Sequence, residues 1–392
     1  MAGAGGGGRR RRRWDARDWD EEGYRRSVLT EREIVSRTVF RTAFAPSQNP
    51  SPKTLVVASS DGSLASYSIS SCISSSHSQP MHFSRKVDQQ HLYESSYVDP
   101  LCIIQGHKGP AYDLKFFEDG EESLLLSCGD DGRIRGWRWI ELLSSDVPLS
   151  LQGNHLKPIL DFVNPQHEGP WGALSPVPEN NAIAVNKQDG SIYSASGDAC
   201  AYCWDVETGK CKMIFKGHSE YLHSIAVRTS SNQIITGSED GTARLWDCRS
   251  GRCTQILYPD KNRKLKESAW VSSIAIDTSE SWMVCGTSNS LSVWSLLSNE
   301  CIFSVDCRAP VQDVLFHGNQ ILAVGSEPLL SRFTLDGSIL SQIKCAPHSA
   351  FCISVHPSGV TAVGGHGGLV DVISEFGSHL CTFCCRGLDI YA

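Results

Sequence analysis

What the chain lacks narrows its class first. No apolar run approaches the roughly 20 residues that a membrane-spanning helix requires, and no secretory apolar segment follows the basic start. There is no GxSxG elbow, no Walker phosphate loop and no HExxH, so the common motifs of serine hydrolases, P-loop enzymes and zinc proteases are all missing. Cysteine is not scarce, at 16 residues, but it is not arranged for metal. The CxxC pairs Cys200/Cys203 and Cys381/Cys384 fall in predicted strands, where residues three apart point to opposite faces. No His or Cys pair at zinc-finger spacing accompanies them. The thiols read as small hydrophobes in a reducing compartment, with neither metal nor cofactor expected.

What is present suits a folded scaffold. The 392 residues are 40% hydrophobic and 20% charged, enough for one large domain or two ordinary ones. Net charge is -7 although Arg9 to Arg13 are consecutive arginines, so the body is more acidic than the total suggests. That balance argues against a broad nucleic-acid surface and leaves RNA contact to be indirect or through the Arg9–Arg13 run.

The most informative stretch is Ile234 to Arg249, IITGSEDGTARLWDCR. A buried-strand run breaks at Glu239-Asp240-Gly241, where Asp and Gly supply tight-turn chemistry. It resumes as an alternating strand through Trp246 and closes on Asp247. Gly217-His218 lies upstream, Leu222–Val227 alternates with a period of two, and Cys253–Leu257 makes a fourth strand. Gly-His, four short strands and Trp-Asp resemble a WD repeat, one blade of a propeller.

Aligning turns on Asp240 and requiring an aromatic six residues later finds Asp61/Tyr67, Asp131/Trp137 and Asp198/Trp204. Ser288/Trp294, Glu327/Phe333 and His366/Val372 keep the phase with altered residues. The intervals are 70, 67, 42, 48, 39 and 39, the last four matching the repeat period. The expectation is an all-β, seven-bladed WD40 β-propeller over residues 38–386, with insertions at about 70–98 and 149–179. Residues 1–37 read as a disordered Gly/Arg-rich tail and a charged leader with a short helix near Leu29–Ser36, and 387–392 as a short tail. The arginine run suits a nuclear import signal, an RNA-touching arm or a plain solvated tail. His379–Cys384 forms a complete outer strand for the last blade, leaving ring closure open between that blade alone and a contact from Glu31–Arg37.

In WD repeats a His, a Ser or Thr, the turn Asp and the strand-three Trp form a buried hydrogen-bonded chain. The fourth blade offers His218, Thr236, Asp240 and Trp246, and the second His107, Ser127, Asp131 and Trp137. The third keeps Ser194, Asp198 and Trp204 without a preceding Gly-His. A Ser-His-Asp triad is the competing reading, but these residues recur at repeat spacing, as structural parts do and a nucleophile does not. No enzyme is expected, and function must come from surfaces.

Two resemblances carry the reading further. Ile234–Arg249 is similar to the sixteen-residue DWD box of proteins that dock on the damaged-DNA-binding adaptor of cullin-4 ubiquitin ligases. Its matching positions are Ile234, Ile235, Asp240, Trp246, Asp247 and Arg249, of which only Arg249 exceeds the WD pattern. Outside the generic repeat stand NPQHEGPWGALSPVPE (164–179), WDVETGK with KGHSEYLH (204–223) and GGLVDVISEFGSHLCTF (367–383). On these residues the chain, from about residue 38 to 384, resembles the THO complex subunit 6 family in its plant form. The resemblance implies a non-catalytic subunit of the nuclear THO/TREX assembly in mRNA processing and export, with THO subunits as partners and no membrane. It also implies a cullin-4 substrate receptor that damps abscisic-acid signalling. A generic interaction propeller or RNA-contacting adaptor is the alternative. Trp171, in the 164–179 insertion, is the candidate partner contact.

Overall fold

The computed structural model describes residues 36–47, 51–77, 98–117, 123–143, 156–260 and 269–385, with residues 21, 23, 24 and 28. The arginine run, the expected helix near Leu29–Ser36 but for Ser36 itself, most of the 70–98 excursion and the 387–392 tail lie outside them. Seven four-stranded antiparallel sheets follow one another along the chain. The first strand of each sheet touches the first strands of both neighbouring sheets, so these seven strands form a closed inner circle. This is the expected seven-bladed propeller. Among the described residues, no helix is long and apolar enough to cross a membrane.

Burial explains why strands of different composition occupy different radii. A blade's second strand is covered on both faces by adjacent blades, and Thr54–Ser59 and Ser191–Ser196 are accordingly buried at every position. Outer strands such as Cys211–Lys216 and Ile339–Lys344 are largely open and carry polar residues between apolar ones. The apolar residues gather into seven clusters, one at each junction between blades. Burial of apolar surface between blades, rather than a single central core, therefore supplies the main driving force.

The two expected insertions differ from the sequence reading. In the first, Ile69–His77 is helical and rests on the outer strand of the last blade. Within the second, Leu160–Val163 supplies the outer strand of the second blade, paired antiparallel with Arg133–Arg138. The true excursion is thus shorter and begins at Asn164. Four apolar or charged residues amid prolines present too short a period to be recognised as a strand.

Each blade is contiguous in sequence, so no strand is exchanged to close the ring. The last blade uses Ala350–Val355 as its inner and His379–Cys384 as its outer strand. A short contact just before the first strand joins it. Thr38 pairs with His366, the Gly368 amide donates to the Arg37 carbonyl at 2.9 Å, and Arg37 Nη1 donates to the Cys385 carbonyl at 2.9 Å. Arg37 Nη2 also lies 3.2 Å from Asp61. Both readings of closure are therefore combined: a complete last blade and a latch from Arg37.

Candidate functional site

The fourth blade shows what the repeat residues do. Its second strand is Gln233–Ser238 and its third Ala243–Asp247. Gly241 has φ of +77° at the turn between them, a conformation glycine adopts without the Cβ clash of other residues. Trp246 Nε1 donates to Thr236 Oγ1 at 2.8 Å, Thr236 Oγ1 lies 2.8 Å from His218 Nε2, and His218 Nδ1 lies 2.7 Å from Asp240 Oδ2. Every member is satisfied when Thr236 donates to Nε2 and the Nδ1 proton goes to the carboxylate. Burial lowers the His218 pKa despite Asp240, which keeps the ring neutral. Burial opposes the charge of Asp240, but hydrogen bonds from His218 and Thr242 outweigh it and hold the carboxyl well below its usual range.

The second blade repeats this chain with His107, Ser127, Asp131 and Trp137. In the third, which lacks the Gly-His, Trp204 donates to Ser194 at 3.1 Å, and the turn Asp meets a histidine from an unexpected place. His167, in the 164–179 loop, brings Nε2 within 2.5 Å of Asp198 Oδ2, where Tyr202 also donates. Sequence spacing did not signal this partner.

The same loop is built around a small reversed turn. Glu168 pairs with Leu174, the Gly169 amide donates to the Ala173 carbonyl at 2.7 Å, and the Ser175 amide to the His167 carbonyl at 2.8 Å. Its base is pinned by Asn164, whose Nδ2 reaches Pro178, Asn180 and Ser196 at 3.0–3.1 Å. Trp171 stands at the tip with φ of +67°, and its side chain is fully exposed. A bulky residue rarely adopts this backbone conformation. The indole does not pack down on its own blade.

The sixteen-residue box divides into buried and accessible parts. Ile234 faces the junction of the third and fourth blades with Trp246, while Ile235 faces the junction of the fourth and fifth. Asp240 is held in the buried chain above. Asp247 accepts from the amides of Arg249 and Ser250 and from the Ser250 hydroxyl, and these bonds, Ser250's first, lower its pKa. Arg249 is exposed on the rim beside it. Of the six box positions, Arg249 is exposed and Asp247 partly so, while the others are held inside the blade.

The channel through the ring holds charged residues that the sequence reading did not single out. Arg41 lies on the first inner strand, with Nε 2.7 Å from Asp113 and Nη1 2.6 Å from Asp313. Asp113 also accepts from the Ile183 amide, and Asp313 from Ser273 and the Ile353 amide. Burial opposes the charge on Arg41, and the two carboxylates outweigh it, raising its pKa. The CxxC pairs lie on strands, Cys200/Cys203 on Cys200–Asp205 and Cys381/Cys384 on His379–Cys384. Among the described residues no group of three or more His, Cys, Asp or Glu is arranged to hold a metal.

Comparison with known proteins agrees with this architecture. The family pattern "WD domain, G-beta repeat" matches residues 98–138 and 209–247. Those segments contain the complete hydrogen-bonded chains of the second and fourth blades. THO complex subunit 6 of Arabidopsis thaliana is 56% identical over 371 residues, covering 94% of this chain and 98% of the relative. The chain belongs to the THO complex subunit 6 family. The human subunit 6 is 28% identical over 345 residues, covering 86% of this chain and 90% of its own, and the Danio rerio homologue 27% over 351, covering 88% and 96%. WD propellers of this kind are typically not catalytic. The subunit 6 relationship spans nearly the whole chain, including the Asn164–Glu179 loop outside the repeat pattern.

Proposed function

We propose that this protein is a non-catalytic WD40 scaffold subunit of the THO/TREX assembly, acting in the nucleus in mRNA processing and export. The observation that carries the reading is the 56% identity to Arabidopsis THO complex subunit 6 over 94% of the chain. Geometry supports it with a surface suited to a protein partner: the Trp171 indole, fully exposed on a loop pinned by Asn164 and His167. A rigid exposed aromatic loses little conformational entropy on docking and is a favoured interface anchor. RNA contact is indirect or falls to the Arg9–Arg13 run, which would also serve as a nuclear address. The test is purification of the tagged protein from nuclei. Wild type should bring down THO subunits, and Trp171→Ala, with unchanged melting, should bring down far less. Undiminished recovery by the variant would remove Trp171 from the interface, and a wild type found only in cytoplasm without THO subunits would end the reading.

A second reading is favoured by one observation, the exposed Arg249 at the end of the box, beside the partly exposed Asp247. In it the propeller also serves as a cullin-4 substrate receptor, docking on the damaged-DNA-binding adaptor and restraining abscisic-acid signalling. A guanidinium on the rim makes forked hydrogen bonds that lysine cannot reproduce. The two roles use different surfaces, Trp171 on one loop and Arg249 on another, and do not exclude each other.

A further inference from the structure

The second residues of the seven inner strands form a layer at one mouth of the central channel. In blade order they are Phe40, Tyr112, Asn181, His223, Ser272, Gln312 and Phe351, and all line a cavity of about 1000 Å³. Three adjacent blades, the seventh, first and second, place aromatic rings in that layer. Phe40 meets Tyr112 edge-on with centroids 5.3 Å apart and Phe351 with centroids 5.8 Å apart. On the fourth and fifth blades, Tyr221 and Trp270 stand one residue before their strands and are partly exposed at the same mouth. Aromatic groups therefore rim both sides of it.

Carboxylates stand on the second, third and fourth blades at this mouth. Tyr112 donates to Asp130 Oδ1 at 3.2 Å, and Glu179 lines the cavity. Glu239 lies 3.7 Å from His223 Nε2. The negative field is felt by its neighbours: burial first, then Asp130 and Glu179, push the Tyr112 hydroxyl up to about 12. Burial lowers the His223 pKa despite Glu239, so that ring brings no positive charge at neutral pH. Arg41, one layer deeper, is paired with both Asp113 and Asp313. The cavity runs on along the channel, and Lys115 and Lys187 line it from the far ends of the inner strands, away from this mouth.

We infer that this mouth is a binding site for an arginine side chain presented by an extended segment of a partner protein. Ring faces accept a flat, weakly hydrated cation, and Glu179, with Asp130 and Glu239 beside it, accepts its N–H groups. Lysine offers a compact, strongly hydrated charge that fits the rings less well. Citrulline keeps the shape and loses the charge. The site uses neither the Trp171 indole nor Arg249, although Glu179 ends the loop that carries Trp171, and the inference does not rest on the THO reading.

The test uses the full-length protein and a fluorescein-labelled Gly-Ser peptide bearing three spaced arginines, with lysine and citrulline versions, read by anisotropy. The arginine probe should bind saturably, the lysine probe several-fold more weakly and the citrulline probe not measurably. Glu179→Gln and Phe351→Ala should each weaken it about tenfold, the loss of one good contact, with the melting temperature of Glu179→Gln unchanged. The same titration on a chain with Arg9–Arg13 replaced by serine decides the source of the occupant. Tighter binding there would give the mouth to the chain's own arginine run and overturn the partner assignment. Absence of saturable binding in both chains, equal affinity for lysine and arginine, or insensitivity to Glu179→Gln would overturn it as well. So would displacement of the probe by an oligouridylate that Glu179→Gln binds more tightly, which would make the mouth an RNA site.

Discussion

Arg41 Nη1 lies 2.6 Å from Asp313 Oδ2, although 272 residues separate them in sequence. The contact runs from the first blade to the sixth, past the seventh, and shares its guanidinium with Asp113 of the second. A single side chain thus ties together both flanks of the seam at which the ring closes. Arg41→Met should be strongly destabilising, by about 3–5 kcal/mol, because two buried carboxylates lose their counter-charge together. Urea unfolding followed by tryptophan fluorescence measures this, and a midpoint equal to wild type would mean that solvent reaches both aspartates.

Asp240→Ala should cost roughly 1–3 kcal/mol at pH 7, since His218 and Thr242 lose an acceptor inside the blade. The pH dependence has a definite sign. The folded-state pKa of Asp240 is depressed, so its stabilisation is present above the ordinary value of 3.8 and is lost as pH falls below it. That of His218 is also depressed, so stability drains as pH falls below about 6.5 and the unfolded chain takes up the proton first. Asp240 partly offsets the fall in the His218 pKa, so the variant loses no less from that ring, and the gap should narrow only below about 3.8, where the Asp240 contribution is lost. A gap that stays constant from pH 7 to pH 3 would show that the pair does not titrate with folding.

His167→Ala should loosen the Asn164–Glu179 loop without unfolding the ring. The His167 side chain is itself half exposed, so the global cost should stay within about 1 kcal/mol. Amide exchange should accelerate at Gly169 and Ser175, whose hydrogen bonds form the turn beneath Trp171. Unchanged exchange there would mean that Asn164 alone holds the loop.

Ala199 occupies the turn position that glycine fills at Gly62, Gly132 and Gly241, and it too has positive φ, at +64°. Ala199→Gly should stabilise by about 0.5–1 kcal/mol, the relief of a left-handed alanine less the greater freedom of glycine in the unfolded chain. Differential scanning calorimetry decides it, and a lower melting temperature would show that the methyl group packs usefully.

If the box is a working dock, Arg249→Ala should lose the cullin-4 adaptor while leaving melting and THO recovery intact. The loss should be about 2 kcal/mol, the threshold of an interface hot spot. Trp246 is a poorer probe because it is buried against the neighbouring blade. Equal adaptor binding by wild type and Arg249→Ala would reduce the box to an ordinary repeat.

What was legible in sequence was whatever is local. A turn Asp with an aromatic six residues on is set by one hairpin, so Asp240/Trp246 and its counterparts could be aligned and blades counted. Partners brought together by the ring left no spacing to read. Asp198 is met by His167 from a loop 31 residues earlier, and Arg41 by an aspartate 272 residues later. Leu160–Val163 escaped because a four-residue outer strand hardly establishes a period. The aromatic layer of Phe40, Tyr112 and Phe351 had a usable signal, the second position of each inner strand, which becomes meaningful only once those strands stand side by side.

The contiguity of each blade bears on how the chain emerges from the ribosome. Every sheet can pair its strands from polypeptide already made, and six of the seven junctions join a blade to the one synthesised just before it. The seventh cannot form until translation is nearly finished. Tyr67 and Phe383, whose rings end 4.9 Å apart, are made more than 300 residues from each other. Until then the apolar flank of the first blade, with Leu55 and Val57, waits uncovered. The growing chain thus carries an open arc with one unprotected end, and a nascent-chain chaperone would be most needed over that blade.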